Sequence, residues 1–307
     1  MGVVNEVLIL FLLISVGALA RWRGLIDVSM NRGLAELLLN VTMPLMILGA
    51  FNIAFDAAMA ATALKVFLLS AFFHTVSFFL GGYLFRRYSG QARQVLRFTA
   101  VFSNCAFMGY PVLFSLYGKT GVFYGSVFTV PFIISLWTLG VYLFRSDEKK
   151  VSWGNVFLNP GLLAVLAGLV IFFLSWHLPA PVARAFDMLG ATTTPLSMIL
   201  IGSMLAGMPF REVIGDRKVY YAAFVRLLLV PAIALGVMYV CGVRGLAFGV
   251  CVLSLAMPVA ANTAAFAEKF ESDTALASRC VFVSTVFSIV TIPVFIALVN
   301  RLAGPLF

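Results

Sequence analysis

Ten long apolar blocks, separated by short polar connections, constrain this 307-residue chain more than any other feature. They run about 3–20, 34–51, 63–85, 95–117, 121–144, 159–176, 189–207, 218–241, 245–268 and 275–300. A helix that crosses a bilayer needs about 20 residues, and these blocks have that length. An outer-membrane barrel would show alternating apolar and polar residues instead. Hydrophobic residues make up 62% of the chain and charged residues 11%, with a mean hydropathy of +1.06. That leaves too little polar surface to cover a water-soluble globule, and far too much apolar mass for a disordered chain. Ten spans use about 200 residues and leave about 100 for connections, so no soluble catalytic domain fits. The expected class is an all-α integral membrane protein.

The net charge of +9 would suggest nucleic acid in a soluble protein. Here the cations sit in short connections, so they report topology, and no nucleic-acid partner is expected. Fifteen fall in or beside the odd-numbered connections: Arg21, Arg23, Arg32, Arg86, Arg87, Arg93, Arg97, Arg145, Lys149, Lys150, Arg211, Arg217, Lys218, Lys269 and Arg279. Five fall on the even side, namely Lys65, Lys119, Arg184, Arg244 and Arg301. The positive-inside rule then predicts a multi-pass plasma membrane protein, in a bacterium the inner membrane, with both termini outside. Trp22, Trp153 and Trp176 stand at block ends, as interfacial anchors. Ala18-Leu19-Ala20 imitates a signal-peptidase site, but Arg21 and Arg23 follow the block and no cation precedes it, which predicts a retained helix. Cys105, Cys241, Cys251 and Cys280 lie in apolar stretches without C-x-x-C spacing and read as small core residues. The thirty Phe read as packing and lipid-facing surface.

The two halves repeat. Thr42-Met43-Pro44-Leu45-Met46-Ile47-Leu48 resembles Thr194-Pro195-Leu196-Ser197-Met198-Ile199-Leu200, with Pro44 and Pro195 151 residues apart. His74 and Arg226 are 152 apart, and Ser126-Val127-Phe128 and Cys280-Val281-Phe282 are 154 apart. Five helices per half is an odd number, so the second half enters from the opposite face and the repeat is inverted. The expected boundaries are 1–150 and 151–307. Inverted repeats are typical of secondary transporters, whose site lies at the midplane between halves.

Block four contains Phe102-Ser103-Asn104-Cys105-Ala106-Phe107-Met108-Gly109-Tyr110-Pro111, and block nine Leu255-Ala256-Met257-Pro258-Val259-Ala260-Ala261-Asn262-Thr263. Each sets an Asn and a Pro in mid-membrane. Proline removes a backbone donor and frees a carbonyl. Such breaks survive in hydrocarbon only where protein or a polar cavity satisfies them. Asn supplies two donors and an acceptor. Two broken helices crossing near the centre would aim half-helix N-termini at one spot, which suits an anion. The plainer explanation is that Pro and Gly are common in membrane helices and Asn bonds a neighbour. Matched positions in both halves favour a site.

Ser103-Asn104-Cys105-Ala106-Phe107-Met108-Gly109-Tyr110-Pro111 resembles the Ser-Asn-x-Gly-Phe-x-Gly-x-Pro signature of the auxin efflux carrier family. Pro44-Leu45, its echo in block seven, and Met257-Pro258 through Asn262-Thr263 support the resemblance. Ala106 stands where the family usually has Gly, and Arg279 where a small polar residue is usual. The family includes plant auxin exporters and bacterial carriers of malonate, malate and related acids. The resemblance implies ten transmembrane helices in two inverted five-helix repeats, with crossed broken helices 4 and 9, a crossover fold like that of bile acid/sodium symporters. It implies a scaffold of helices 1, 2, 6 and 7, a mobile transport domain of helices 3–5 and 8–10, elevator-like movement, and homodimers. The substrate would sit at Asn104, with Gly109, Pro111, Pro258 and Asn262 completing the site.

His74 is the one intramembrane group that titrates near neutral pH. It reads either as a proton-coupling or anion-support residue, or as a neutral His bonded to a backbone carbonyl. Arg226, deep in block eight, needs a partner or a water path. It would attract an anion, snorkel, or pair with a carbonyl. Glu36 and Glu268 read as interfacial, and no buried carboxylate cage for sodium is evident. The remaining candidate ions are therefore a proton, or sodium held by carbonyls and hydroxyls. No cofactor or metal site is expected. The chain lacks G-x-x-x-x-G-K-[ST], so gradients must supply the energy. The expected function is secondary active transport of small organic anions. The alternative is an anion channel or uncoupled facilitator, which would need a continuous polar pore. An enzyme would need clustered His or acidic residues, yet only His74 and His177 exist, and His177 falls in a loop.

Overall fold

The computed structural model describes residues 3–144, 153–207 and 216–303. Arg145, Lys149, Lys150 and Arg211, counted above in the charge bias, lie outside the described residues. Among the described residues the regular structure is helical, apart from one isolated antiparallel bridge.

The helices are α1 (Val3–Trp22), α2 (Val28–Phe51), α3 (Ala57–Leu84), α4 (Gly90–Val101), α5 (Gly109–Phe144), α6 (Trp153–Phe157), α7 (Pro160–Phe173), α8 (Ala180–Ala206), α9 (Arg217–Val240), α10 (Gly245–Ala256), α11 (Thr263–Lys269) and α12 (Thr274–Leu302). Six are long and apolar enough to span a bilayer: α2, α3, α5, α8, α9 and α12. Leu8–Trp22, Pro160–Phe173 and Gly245–Ala256 are shorter apolar helices. The protein is thus an all-helical integral membrane protein.

Side-chain caps set many of the helix starts. Asp27 accepts from the Met30 N–H at 2.7 Å, which together with the Ser29 hydroxyl holds its carboxyl below the usual range. Asn159 caps α7 ahead of Pro160, and Asp216 and Asp273 cap α9 and α12. The Asp27 cap starts α2 six residues before the apolar block. Arg32 and Glu36 therefore lie on a helix and pair at 3.3 Å, instead of belonging to a connection or a helix end. Likewise α8 begins at Ala180, nine residues before block seven, because Arg184 and Asp187 ride an amphipathic first half.

Prolines reshape three helices. A proline ring clashes with the carbonyl four residues back. In α2 and α9 a π-helical turn, Leu38–Thr42 and Val225–Leu229, precedes Pro44 and Pro231 and opens the ladder there. In α5, Leu136–Gly140 is also π-helical, five residues after Pro131. Gly118, at φ 59°, turns the chain within α5, so Gly109 to Tyr117 forms a separate half-helix. Only glycine adopts that conformation without strain.

The chain divides into two compact units. The first comprises Met1–Leu64, Ala106–Val130 and Phe157–Met208. Here α1 packs on α8 with backbones nearly touching: a Cβ on Gly17 would strike the Ile199 carbonyl, and one on Gly202 the Ile14 carbonyl. Lipid tails are as apolar as Leu, so close packing by small residues drives helix association. Gly202→Ala should therefore lower stability by about 1–3 kcal/mol, read as a fall in melting temperature in detergent. An unchanged melting temperature would mean that the contact yields freely. Phe51, Phe123 and Phe172 fill the middle of this unit, with ring centroids 4.5 Å and 5.2 Å apart.

The second unit comprises Lys65–Cys105, Pro131–Val156 and Pro209–Phe307. Phe98 organises it, contacting the rings of Phe102, Phe144 and Phe266 at 4.5, 5.1 and 5.3 Å. Cys105, Cys251 and Cys280 are buried, as expected of core residues. Cys241 is exposed instead, because α9 ends at Val240 and Cys241 starts the turn.

Candidate functional site

Two helical paths break in the second unit. The chain leaves α4 at Val101, runs extended through Phe102 and Ser103, and turns before α5 begins at Gly109. It leaves α10 at Ala256, runs extended from Met257 to Ala260, and resumes as α11 at Thr263. Pro258 and the extended residues around it cannot continue the α10 ladder. Every polar group so released needs a partner where water is absent.

The two extended segments supply them to each other. Ser103 and Val259 form an antiparallel bridge. The Asn104 N–H donates to the Pro258 carbonyl at 2.7 Å, and the Ala260 N–H donates to the Phe102 carbonyl at 3.1 Å. Ser103 and Val259 are thus a pair flanked by hydrogen bonds, the closer arrangement of antiparallel strands. The Val259 N–H donates to Ser284 Oγ of α12 at 3.1 Å. Thr263 Oγ1 donates to the Ala260 carbonyl at 2.6 Å.

Arg226 closes the remaining gap. It is fully buried in the π-turn of α9. Its guanidinium donates to Ala100 O at 3.0 Å and to Val101 O at 3.4 Å, at the C-terminus of α4. It also donates to Leu255 O, at the C-terminus of α10. One cation therefore caps two half-helices at the negative ends of their dipoles. Of the three roles open to Arg226 in the sequence, pairing with carbonyls is seen, at two helix ends together.

His74 is also fully buried. Its Nδ1–H donates to the Ser70 carbonyl at 2.7 Å. The ring lies beside Phe102, at the break, and Phe132, with centroids 6.5 Å and 5.7 Å away.

Asn104 is 5% exposed. Its backbone N–H is committed to Pro258, but its side chain makes no hydrogen bond among the described residues. Asn262, half-buried at the start of α11, makes no side-chain cap. The second unit thus gathers Asn104, Pro258, Asn262, His74 and Arg226. Gly109 and Pro111 are both buried, open α5, and fall in the first unit. Ser284 was not anticipated. Its signal was present in block ten, where Ser284, Ser288 and Thr291 recur at i, i+4 and i+7 on an apolar helix. Among the described residues no group of His, Cys, Asp or Glu is placed to hold a metal ion.

Comparison with protein families finds a match to the model described as membrane transport protein, over residues 2–155 and 148–296. The chain belongs to the membrane transport protein family. This is the auxin efflux carrier family that the block-four signature resembles. An uncharacterized transporter of Methanothermobacter thermautotrophicus is 35% identical over 203 residues, covering 64% of this chain and 65% of that protein. An uncharacterized transporter of Methanocaldococcus jannaschii is 22% identical over 298 residues, covering 94% of this chain and 96% of that protein. Auxin efflux carrier component 1 of Arabidopsis thaliana is 26% identical over 122 residues, 38% of this chain and 20% of the plant protein. The alignments thus reach just under two thirds of the first relative and a fifth of the plant carrier. The family's description is that of membrane transport proteins, and two of the three relatives are named as transporters.

Proposed function

We propose that this chain is a secondary active transporter of small organic anions, carboxylates such as malonate, malate or auxin-like acids. The observation that carries the reading is the Asn104 side chain, 5% exposed and without a hydrogen bond among the described residues, beside two broken helices. A buried amide that bonds nothing is costly unless a ligand or water completes it. Its NH2 group donates to a carboxylate oxygen. Asn262 supplies a second amide from the other half. Gly109 and Pro111 open the half-helix after the first break, and a helix N-terminus favours an anion. Both terminal nitrogens of Arg226 donate to carbonyls, so Arg226 contributes positive charge to the site. His74 Nε2 is the proton-coupling or supporting group.

In this reading ten helices form two inverted repeats, 1–150 and 151–307, with helices 4 and 9 crossing. Helices 1, 2, 6 and 7 serve as scaffold, helices 3–5 and 8–10 move as an elevator, and the protein works as a homodimer with both termini outside. The coupling ion in this reading is a proton or sodium.

The test is electrogenic current from purified protein in proteoliposomes, with mono- and dicarboxylates and indole acetate at pH 5.5 and 7.5. A saturable, substrate-specific transient that changes with pH in the wild type and not in His74→Gln is the expected result. Radiolabelled uptake covers an electroneutral cycle. Silence in both assays across the panel overturns the carboxylate reading.

A further inference from the structure

A cavity with a basic lining lies at the far end of α3. The helix stops at Leu84, and the chain reverses through two turns, Arg86 N–H to Tyr83 O and Tyr88 N–H to Phe85 O. Phe85 is fully buried, with its ring 6.0 Å from Tyr88 and 5.4 Å from Tyr221 of α9. Above that floor is a cavity of about 440 Å3, lined by Tyr83, Leu84, Arg86, Arg87, Tyr88 and Tyr221.

The lining carries two guanidinium groups and three phenols, and no acid. The ion pairs among the described residues, Arg32–Glu36 and Lys119–Asp187, are elsewhere. Neither Arg86 nor Arg87 donates a side-chain hydrogen bond to the terminal carbonyls of α3 among the described residues, so they do not serve as its end caps. The Arg86 guanidinium instead lies 4.7 Å over the Tyr83 ring, which fixes it while leaving its N–H edge open. Planar guanidinium forks with phenol hydroxyls match the oxygens of a phosphate.

We infer that this cavity binds the phosphate of an anionic phospholipid headgroup. Its position favours a lipid over a free phosphate. Tyr83 is 62% exposed and Phe79, one turn earlier on the same face, 69% exposed, so the cavity adjoins an apolar helix face suited to acyl chains. Arg86 and Arg87, after α3, and Arg217 and Lys218, at the start of α9, are among the cations that the positive-inside rule assigns to the cytoplasmic side, where the anionic leaflet lies. The inference is independent of the substrate site.

The experiment uses the full chain, delipidated in a neutral detergent. Native mass spectrometry counts bound phosphatidylglycerol against phosphatidylcholine of the same acyl chains, with inorganic phosphate as competitor. The expected result is selective phosphatidylglycerol binding that falls about tenfold in Arg86→Gln/Arg87→Gln. It should persist in Arg23→Gln/Arg32→Gln, which loses the same charge outside the cavity. If the Gln pair inserts poorly, Arg86→Lys/Arg87→Lys keeps the charge and should still bind about threefold more weakly, through loss of the bidentate forks. Equal losses in both Gln pairs, or no preference over phosphatidylcholine, overturn the site. Displacement by millimolar inorganic phosphate overturns the lipid as its source.

Discussion

Replacing Arg226 with Met should destabilise the protein more than any other single substitution considered. The change removes the donors that hold Ala100 O, Val101 O and Leu255 O. Two half-helix ends then lose their caps in a place where water cannot replace them. Leaving a buried acceptor unpaired costs about 1–3 kcal/mol, and three carbonyls lose their donor here. For a domain of this size that corresponds to a fall of roughly 10 °C or more in melting temperature. The measurement is thermal unfolding in detergent, with size-exclusion chromatography to report monodispersity. Arg226→Lys should recover little, because a single ammonium does not span both helix ends as a forked guanidinium does. A melting temperature within a degree or two of wild type for Arg226→Met would show that the two ends do not depend on the cap.

Asn104→Ala should have the opposite profile, a large loss of transport with little loss of stability. The backbone N–H of residue 104 still reaches the Pro258 carbonyl, and the deleted amide has no internal bond to lose. Charge-assisted hydrogen bonds are worth about 1.5–3 kcal/mol, so substrate affinity should fall by roughly a hundredfold. Asn104→Asp should be at least as damaging, because an acceptor-only carboxylate repels an anionic substrate. Uptake kinetics in proteoliposomes, paired with a melting curve, separate the two effects. Normal uptake by Asn104→Ala would remove the site from this break, while a collapsed melting curve would recast Asn104 as structural.

The contrast between these residues marks how far the sequence could be read. Both breaks were legible, because Pro258 forbids a continuous ladder and Asn104 and Asn262 are poor hydrocarbon residues. The requirement that Arg226 find a partner was legible for the same reason. Its actual partners were not, because they are carbonyls, and carbonyls look alike at every position. Arg226 lies 126 residues from Ala100 and 29 from Leu255, and no local pattern links them. His74 was left between a coupling role and a bond to a carbonyl; the Ser70 contact supplies the bond. Ser284 was overlooked because a hydroxyl on an apolar helix ordinarily bonds back to its own turn. Its Oγ does so, to Val281 O at 3.1 Å, and accepts from Val259 as well. The helix ends at Val28 and Ala180 were misplaced for another reason. Hydropathy marks where a helix is apolar, whereas the Asp27 cap and the amphipathic start of α8 mark where it is helical.

By itself the sequence determined the solvent, and the solvent determined most of the rest. Blocks of bilayer length must be helical, since hydrocarbon offers backbone groups no other partner, and a broken helix there is expensive enough to need a reason. The tertiary structure decided how that expense is met. It joined residues 102–104 to 258–260 as a short antiparallel pair and set one guanidinium across two helix ends. It left the Asn104 side chain, 5% exposed, without a hydrogen bond among the described residues. Those choices depend on which backbone groups packing brings within 3 Å of one another, and that distance is fixed only when the helices are assembled.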